Sequence, residues 1–129
     1  LFVGSVNVYK DSLKGTFLCL QAEITQMLAQ AVTGAIVNLS SVAGLIGFPG
    51  LASYVGAKHG VNGLTRNAAL EYAKSGIRVN SVCPAGIDTR MLDSLADSDG
   101  GKMTSRQMMD GLHPMGRIGA PGEVAGLIV

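Results

Sequence analysis

Between Val6 and Gln30 the apolar residues Val6, Leu13, Phe17, Leu20, Ile24, Met27 and Leu28 fall mostly three, four or seven positions apart, as one face of a helix requires. This spacing predicts a long amphipathic helix. Thr33 and Gly34 interrupt it, and AIVNLS, with Ile36, Val37 and Leu39, reads as a short strand whose apolar run suits burial on both faces. Ser40 and Ser41 stand at its C-terminal end. The stretch SVAGLIGFPG, with Gly44, Gly47, Pro49 and Gly50, favours a loop, and its apolar content suits the wall of a pocket.

A second helical pattern covers residues 53–74, carried by Val61, Leu64, Ala68 and Tyr72, and Ser75-Gly76 supplies its stop. Gly56, Gly60 and Gly63 form a smooth strip on that helix, open either to packing within the fold or to an oligomer contact. IRVNSV then reads as another strand. Strand, long crossover helix and strand in that order make a parallel, right-handed βαβ unit, so the expected fold class is α/β. Past Pro84 the chain is richer in Gly, Asp, Ser and Met, with weak helical patterns over residues 90–96 and 105–112 that suggest a mobile flap. In APGEVAGLIV, Pro121 suits the first turn of a helix and Glu123 its positive end.

Composition narrows the possible partners. With 129 residues and 47% hydrophobic content the chain can build a core, and without repeats or linkers residues 1–129 read as one structural unit. A net charge of +1 with no basic run gives nucleic acid little to bind. The apolar runs, such as 34–39 and 42–51, are broken well short of the roughly 18 residues of a membrane span. Cys19 and Cys83 have neither metal-ligand spacing nor a disulfide-rich pattern, which fits a reducing cytoplasm. The N-terminus LFVGSVNVYKDSLKG has no Met and no signal-peptide pattern, as expected of a chain that begins within a longer protein.

Tyr54 and Lys58 lie four apart near the start of the second helix, so their head groups can reach one site. A free phenol titrates at about 10 and is a poor base at neutral pH, but an ammonium close by favours the phenolate. Ser41 ends the preceding strand, where ligand sites of parallel sheets form. Taken alone, a Tyr and a Lys at this spacing describe a surface pair as well as a site. Asn38 and Asn80 read as amides that tie neighbouring backbone together, and Met91, Met103, Met108, Met109 and Met115 either pack the flap or meet an apolar substrate. His59 and His113 have no partner at metal-ligand spacing and read as structural or solvated, so no metal is expected.

NLSSVAG at 38–44, YVGAK at 54–58 and IRVNSVCPAGIDT at 77–89, in that order, resemble the short-chain dehydrogenase/reductase family. The thirteen positions from Ser41 to Tyr54 and the run LEYAKSGIRVN match the family as well, and the likeness extends from Leu13 through GRIGAPGEVAG at 116–126. It covers the later, catalytic portion of a family member. The family's TGxxxGxG turn and NNAG segment do not occur in these residues.

The resemblance implies a Rossmann-like, doubly wound parallel sheet, here lacking its N-terminal glycine-rich βαβ half. It also implies an oxidoreductase that moves hydride between NAD or NADP and a small-molecule alcohol or ketone. Tyr54 would be the general acid/base and also contact the cofactor, Ser41 would hold the substrate oxygen, and Lys58 would bind the nicotinamide ribose and act on Tyr54. Pro84, Ile87 and Thr89 match the family's P-G-x-I-x-T pattern at the nicotinamide end, with Ala85 in place of its glycine. Ser12 stands where the family usually has Asn, whose amide helps position the water leading to Lys58. A serine hydroxyl is shorter and offers one donor where an amide offers two. Family members associate as homodimers or homotetramers through helices that correspond to residues 6–30 and 51–74. The alternative to an enzyme is a non-catalytic remnant or interaction module without the phosphate-binding half.

Overall fold

The first predicted helix forms with its expected limits: α1 runs over Val6–Gln30 in a computed structural model that describes residues 6–92 and 105–129, with side chains from Ser12 to Leu92 and from Gln107 onward. Its buried stripe is Leu20 and Ile24, one turn apart, and burying each such side chain contributes about 1.5–3 kcal/mol. Ala31 closes the helix in the left-handed region at φ 52°. There its N–H bonds Leu28 O at 3.1 Å while the Val32 N–H reaches Met27 O at 3.3 Å.

Strand β1, Gly34–Leu39, pairs in parallel with β2, Ile77–Val82, from Gly34 opposite Ile77 to Leu39 opposite Val82. The crossover between them is α2, Ala52–Tyr72, followed by a short 3-10 turn, Ala73–Ser75. Gly76 ends that turn at φ 73°, and a Cβ there would lie 2.8 Å from Thr33 Cγ2, so glycine is required both by conformation and by space. The Gly76 carbonyl then accepts from the Gly34 N–H at 3.2 Å, which sets the two strand starts side by side. This is the βαβ unit that the hydrophobic pattern predicts.

Leu20 and Ile24 of α1, Ala68 of α2, Ile36 of β1 and Ile77 and Val79 of β2 form one core. Both helices therefore lie on the same side of the strand pair. The expectation that AIVNLS is covered on both faces is corrected: Val37 and Leu39 are 37% and 58% exposed. Asn80, expected to be a buried tie, is exposed beside Val37 on that open face, whereas Asn38 faces the helices and its Nδ2 donates to Thr65 Oγ1 at 2.9 Å. In the glycine strip only Gly60 makes a close approach. A Cβ there would stand 2.9 Å from both methyl carbons of Leu13, while Gly56 and Gly63 have open space around them.

The chain, read from sequence as one unit, divides into two compact units, Leu1–Cys83 and Pro84–Val129. In the second, Gly86–Asp88 forms a short parallel bridge with Gly119: the Gly119 N–H donates to Gly86 O and the Asp88 N–H to Gly119 O, both at 2.9 Å. Helix α3, Ser105–Leu112, occupies one of the two weak helical patterns. The other, over 90–96, lies partly outside the described residues, as do the middle of the expected flap and Met103. Helix α4, Pro121–Ile128, starts on the proline as expected. Glu123 Oε2 accepts the Ala120 N–H at 2.7 Å, and its carboxylate holds Arg117 through two bonds of 2.9 and 2.8 Å. These bonds hold the carboxyl of Glu123 down to about 2, the Arg117 guanidinium first and the Ala120 amide second.

Candidate active site

The site is built where β1 ends. Ser40 extends the ladder by one bond, its N–H donating to Val82 O at 2.8 Å, and its buried hydroxyl donates to Lys58 O on α2 at 3.2 Å. Ser41 is extended, at φ -166° and ψ 161°, and caps the 3-10 turn Val42–Gly44 by accepting the Ala43 N–H on Oγ at 3.1 Å. An oxygen that accepts in this way still carries its own proton to donate. The loop predicted from SVAGLIGFPG thus begins with a tight turn whose first residue is the candidate serine.

Three further contacts fasten this turn to α2. Asn62, 2% exposed, donates from Nδ2 to Gly44 O at 2.9 Å and accepts from Cys83 Sγ at 3.6 Å. A Cβ on Gly44 would lie 2.6 Å from Asn62 Nδ2, 2.7 Å from Ser40 Oγ and 2.8 Å from Lys58 O, so the turn can approach the helix only with glycine there. Lys58 Nζ reaches back to donate to Leu39 O at 2.9 Å. Among the described residues every buried side-chain nitrogen or oxygen has a partner.

Lys58 Nζ lies 5.8 Å from the centroid of the Tyr54 ring, at the edge of cation–π range. Partial burial pushes the lysine below its ordinary value, opposed by the neighbouring Cys83. Tyr54, Lys58 and Asn62 follow one another at four-residue intervals along α2: Lys58 bonds Leu39 O, Asn62 bonds Gly44 O, and the Tyr54 ring lies beside the Lys58 ammonium. The sequence reading reached the first two and missed Asn62, although its place one turn beyond Lys58 was a usable signal.

Ser12 is exposed on α1, and its carbonyl accepts Thr16 Oγ1 at 2.9 Å. Pro84, Ile87 and Thr89 belong to the second unit, where Thr89 Oγ1 donates to Ile87 O at 3.3 Å. His59 Nδ1 pairs with Val55 O at 3.0 Å, one turn back on α2. Met91, Met108 and Met115 are exposed and Met109 is half-buried. Among the described residues no group of His, Cys, Asp and Glu could hold a metal ion. Cys19 and Cys83 are free thiols, and no described helix is long and apolar enough to cross a membrane.

A serine at a strand end, a tyrosine and lysine one helical turn apart, and a parallel βαβ unit make an α/β arrangement of the Rossmann type. Residues 5–129 match the family model described as Enoyl-(Acyl carrier protein) reductase. The chain belongs to the short-chain dehydrogenase/reductase family. It is 45% identical over 114 residues to a 2,5-dichloro-2,5-cyclohexadiene-1,4-diol dehydrogenase of Sphingobium indicum, covering 88% of this chain and 44% of that protein. Its fold is similar to that of NAD+-bound xylitol dehydrogenase, with a TM-score of 0.82 and 32% identity over 95% of this chain and 50% of the other. ElxO with NADP bound matches with a TM-score of 0.75 and 39% identity, over 88% of this chain and 44% of that one. The chain thus spans about half the length of the relatives it matches.

Proposed function

We propose that the protein containing this chain is an oxidoreductase that transfers hydride between NAD or NADP and an alcohol or carbonyl compound, and that residues 1–129 are its catalytic, C-terminal portion. The observation that carries this reading is the placement of Lys58, whose ammonium is bonded to Leu39 O and lies beside the Tyr54 ring. The donor sets suit a nicotinamide nucleoside. Lys58 offers an ammonium to ribose hydroxyls at the carboxyl end of β1, and Thr89 offers a hydroxyl beside the Ile87 carbonyl to a carboxamide. Pro84 opens that second segment.

When bound, the nicotinamide supplies the hydride acceptor or donor. In the direction of alcohol oxidation Tyr54 takes the hydroxyl proton as general base, and in reduction it returns one to the carbonyl oxygen. Ser41, its Oγ oriented by the Ala43 amide, donates its proton to that same oxygen and stabilises the charge that develops there. Lys58 places a positive charge 5.8 Å from the centroid of the phenol ring. At Ser12 the shorter hydroxyl would stand in for the family's Asn only with an added water or a shifted helix, so the proton path from Lys58 would be impaired or altered.

The exposed apolar residues Phe17, Leu18 and Leu28 on α1 and Leu70 on α2 support association of the intact protein as a homodimer or homotetramer through these helices. Two free thiols are in keeping with a cytoplasmic location. Titrating the intact protein with NADH and NADPH, then assaying turnover across alcohols and ketones that include a cyclic diol, tests the proposal. Binding and turnover support it. Neither binding nor turnover would leave the interaction module as the better reading.

A further inference from the structure

His113, read from sequence as structural or solvated, occupies a more specific position. It directly follows α3 and is half-buried. Its Nε2 lies 3.0 Å from the backbone nitrogen of Gly86. That N–H can only donate, so Nε2 is an acceptor and carries no proton. On the other side of the ring Nδ1 lies 2.5 Å from Met109 O, which can only accept, so Nδ1 carries the hydrogen. The two partners together select one neutral tautomer.

The ring and Gly86 are also matched in shape. A Cβ on residue 86 would stand 3.0 Å from His113 Cε1 and 3.2 Å from Ile118 Cγ2, so any larger residue has to displace the ring. While the imidazole takes the Gly86 N–H, the Gly86 carbonyl takes the Gly119 N–H and Gly119 O takes the Asp88 N–H. The turn that carries Gly119 is itself held, since Asp110 Oδ1 accepts the Ile118 N–H at 2.7 Å. Gly86 is thus fixed through both its backbone polar groups, one of them by a side chain.

We infer that His113 is a positioning residue for the nicotinamide-binding segment: by accepting the Gly86 N–H it holds Ile87 and Thr89 in the conformation that receives the cofactor. The inference rests on the proposed function and extends it to a residue outside the Ser41, Tyr54 and Lys58 set. Gly86 lies between Pro84 and Ile87, so a rotation of its peptide redirects the Ile87 backbone to which Thr89 Oγ1 is bonded. No step of proton or hydride transfer passes through the imidazole.

The test compares His113→Phe, which keeps a ring but has no acceptor, with His113→Gln, whose amide oxygen can accept the same N–H. Both are made in the intact protein, and amide hydrogen exchange at Gly86 is read together with KM for NAD(P)(H) and kcat. His113→Phe should speed exchange at Gly86 and raise the cofactor KM about tenfold, the scale of one net hydrogen bond, with kcat at saturating cofactor within about twofold. His113→Gln should restore most of both. If His113→Phe proves too unstable to assay, Gly86→Ala, which pushes the ring aside, should raise the cofactor KM in the same way. Unchanged Gly86 exchange in His113→Phe, or an unchanged cofactor KM in Gly86→Ala, would overturn the inference. A wild-type protein without turnover would refute the proposed function instead, and the exchange measurement would still decide whether His113 holds the loop.

Discussion

Lys58 Nζ donates to the Leu39 carbonyl at 2.9 Å while standing 5.8 Å from the Tyr54 ring, so one side chain links the end of β1 to the first turn of α2. The bond fixes where the ammonium sits and leaves two of its three donors for other oxygens. Burial favours loss of its proton, which gives the site a dependence on pH. The neutral amine is a weaker donor to ribose hydroxyls than the ammonium and carries no charge to attract them. Cofactor affinity should therefore weaken as pH rises through the folded-state pKa of Lys58, which lies below the ordinary 10.5. Cofactor Kd measured against pH should show this alkaline limb in the wild type, and Lys58→Met, which cannot titrate, should lack it.

Gly44 is the point at which the turn after β1 touches α2. A methyl group there meets Asn62 Nδ2, Ser40 Oγ and the Lys58 carbonyl, and the last of these is backbone that cannot swing away. Gly44→Ala should lower stability by about 1–3 kcal/mol, the usual cost of overpacking, with a matching fall in the denaturant midpoint.

Ala31 ends α1 in the left-handed region at φ 52°, where a Cβ is unfavourable. Since Ala31 is exposed, glycine can take the same conformation without loss of packing. Ala31→Gly should raise stability by about 0.5–1 kcal/mol, the reverse of the effect within a helix, as thermal or denaturant unfolding would show.

Glu123 has its carboxyl held down to about 2 from the ordinary 4.5 by Arg117 and the Ala120 amide. A carboxyl lowered on folding contributes stability that is fully present above the unfolded value and is lost as pH falls toward the folded one. The loss should fall between pH 4.5 and about 2, and the exposed position keeps it small. Glu123→Gln should flatten that part of the stability profile while leaving neutral-pH folding largely intact.

The two long helices and the strands on either side of α2 were legible because helical period and the stops at Gly34 and Gly76 are local signals. Tyr54, Lys58 and Ser41 were legible through their spacing and the family resemblance. The open face at Val37 and Leu39 was not, because an apolar run says that residues can be buried without saying what covers them. Asn62 and His113 act through bonds to Gly44 and Gly86, 18 and 27 positions away, and the four-residue interval that puts Asn62 on the face of Lys58 does not say which backbone group it meets. The division after Cys83 coincides with the shift past Pro84 to a chain richer in Gly, Asp, Ser and Met, but composition alone does not say which contacts form.

The most direct test of the account is turnover by Tyr54→Phe in the intact protein, measured beside cofactor affinity. The substitution removes the transferable proton and almost no volume. Turnover should fall at least about a hundredfold, the scale of general acid–base catalysis, with NAD(P)(H) affinity within about twofold of wild type. A variant that keeps wild-type turnover would contradict the role assigned to Tyr54 and the proton-transfer mechanism built on it.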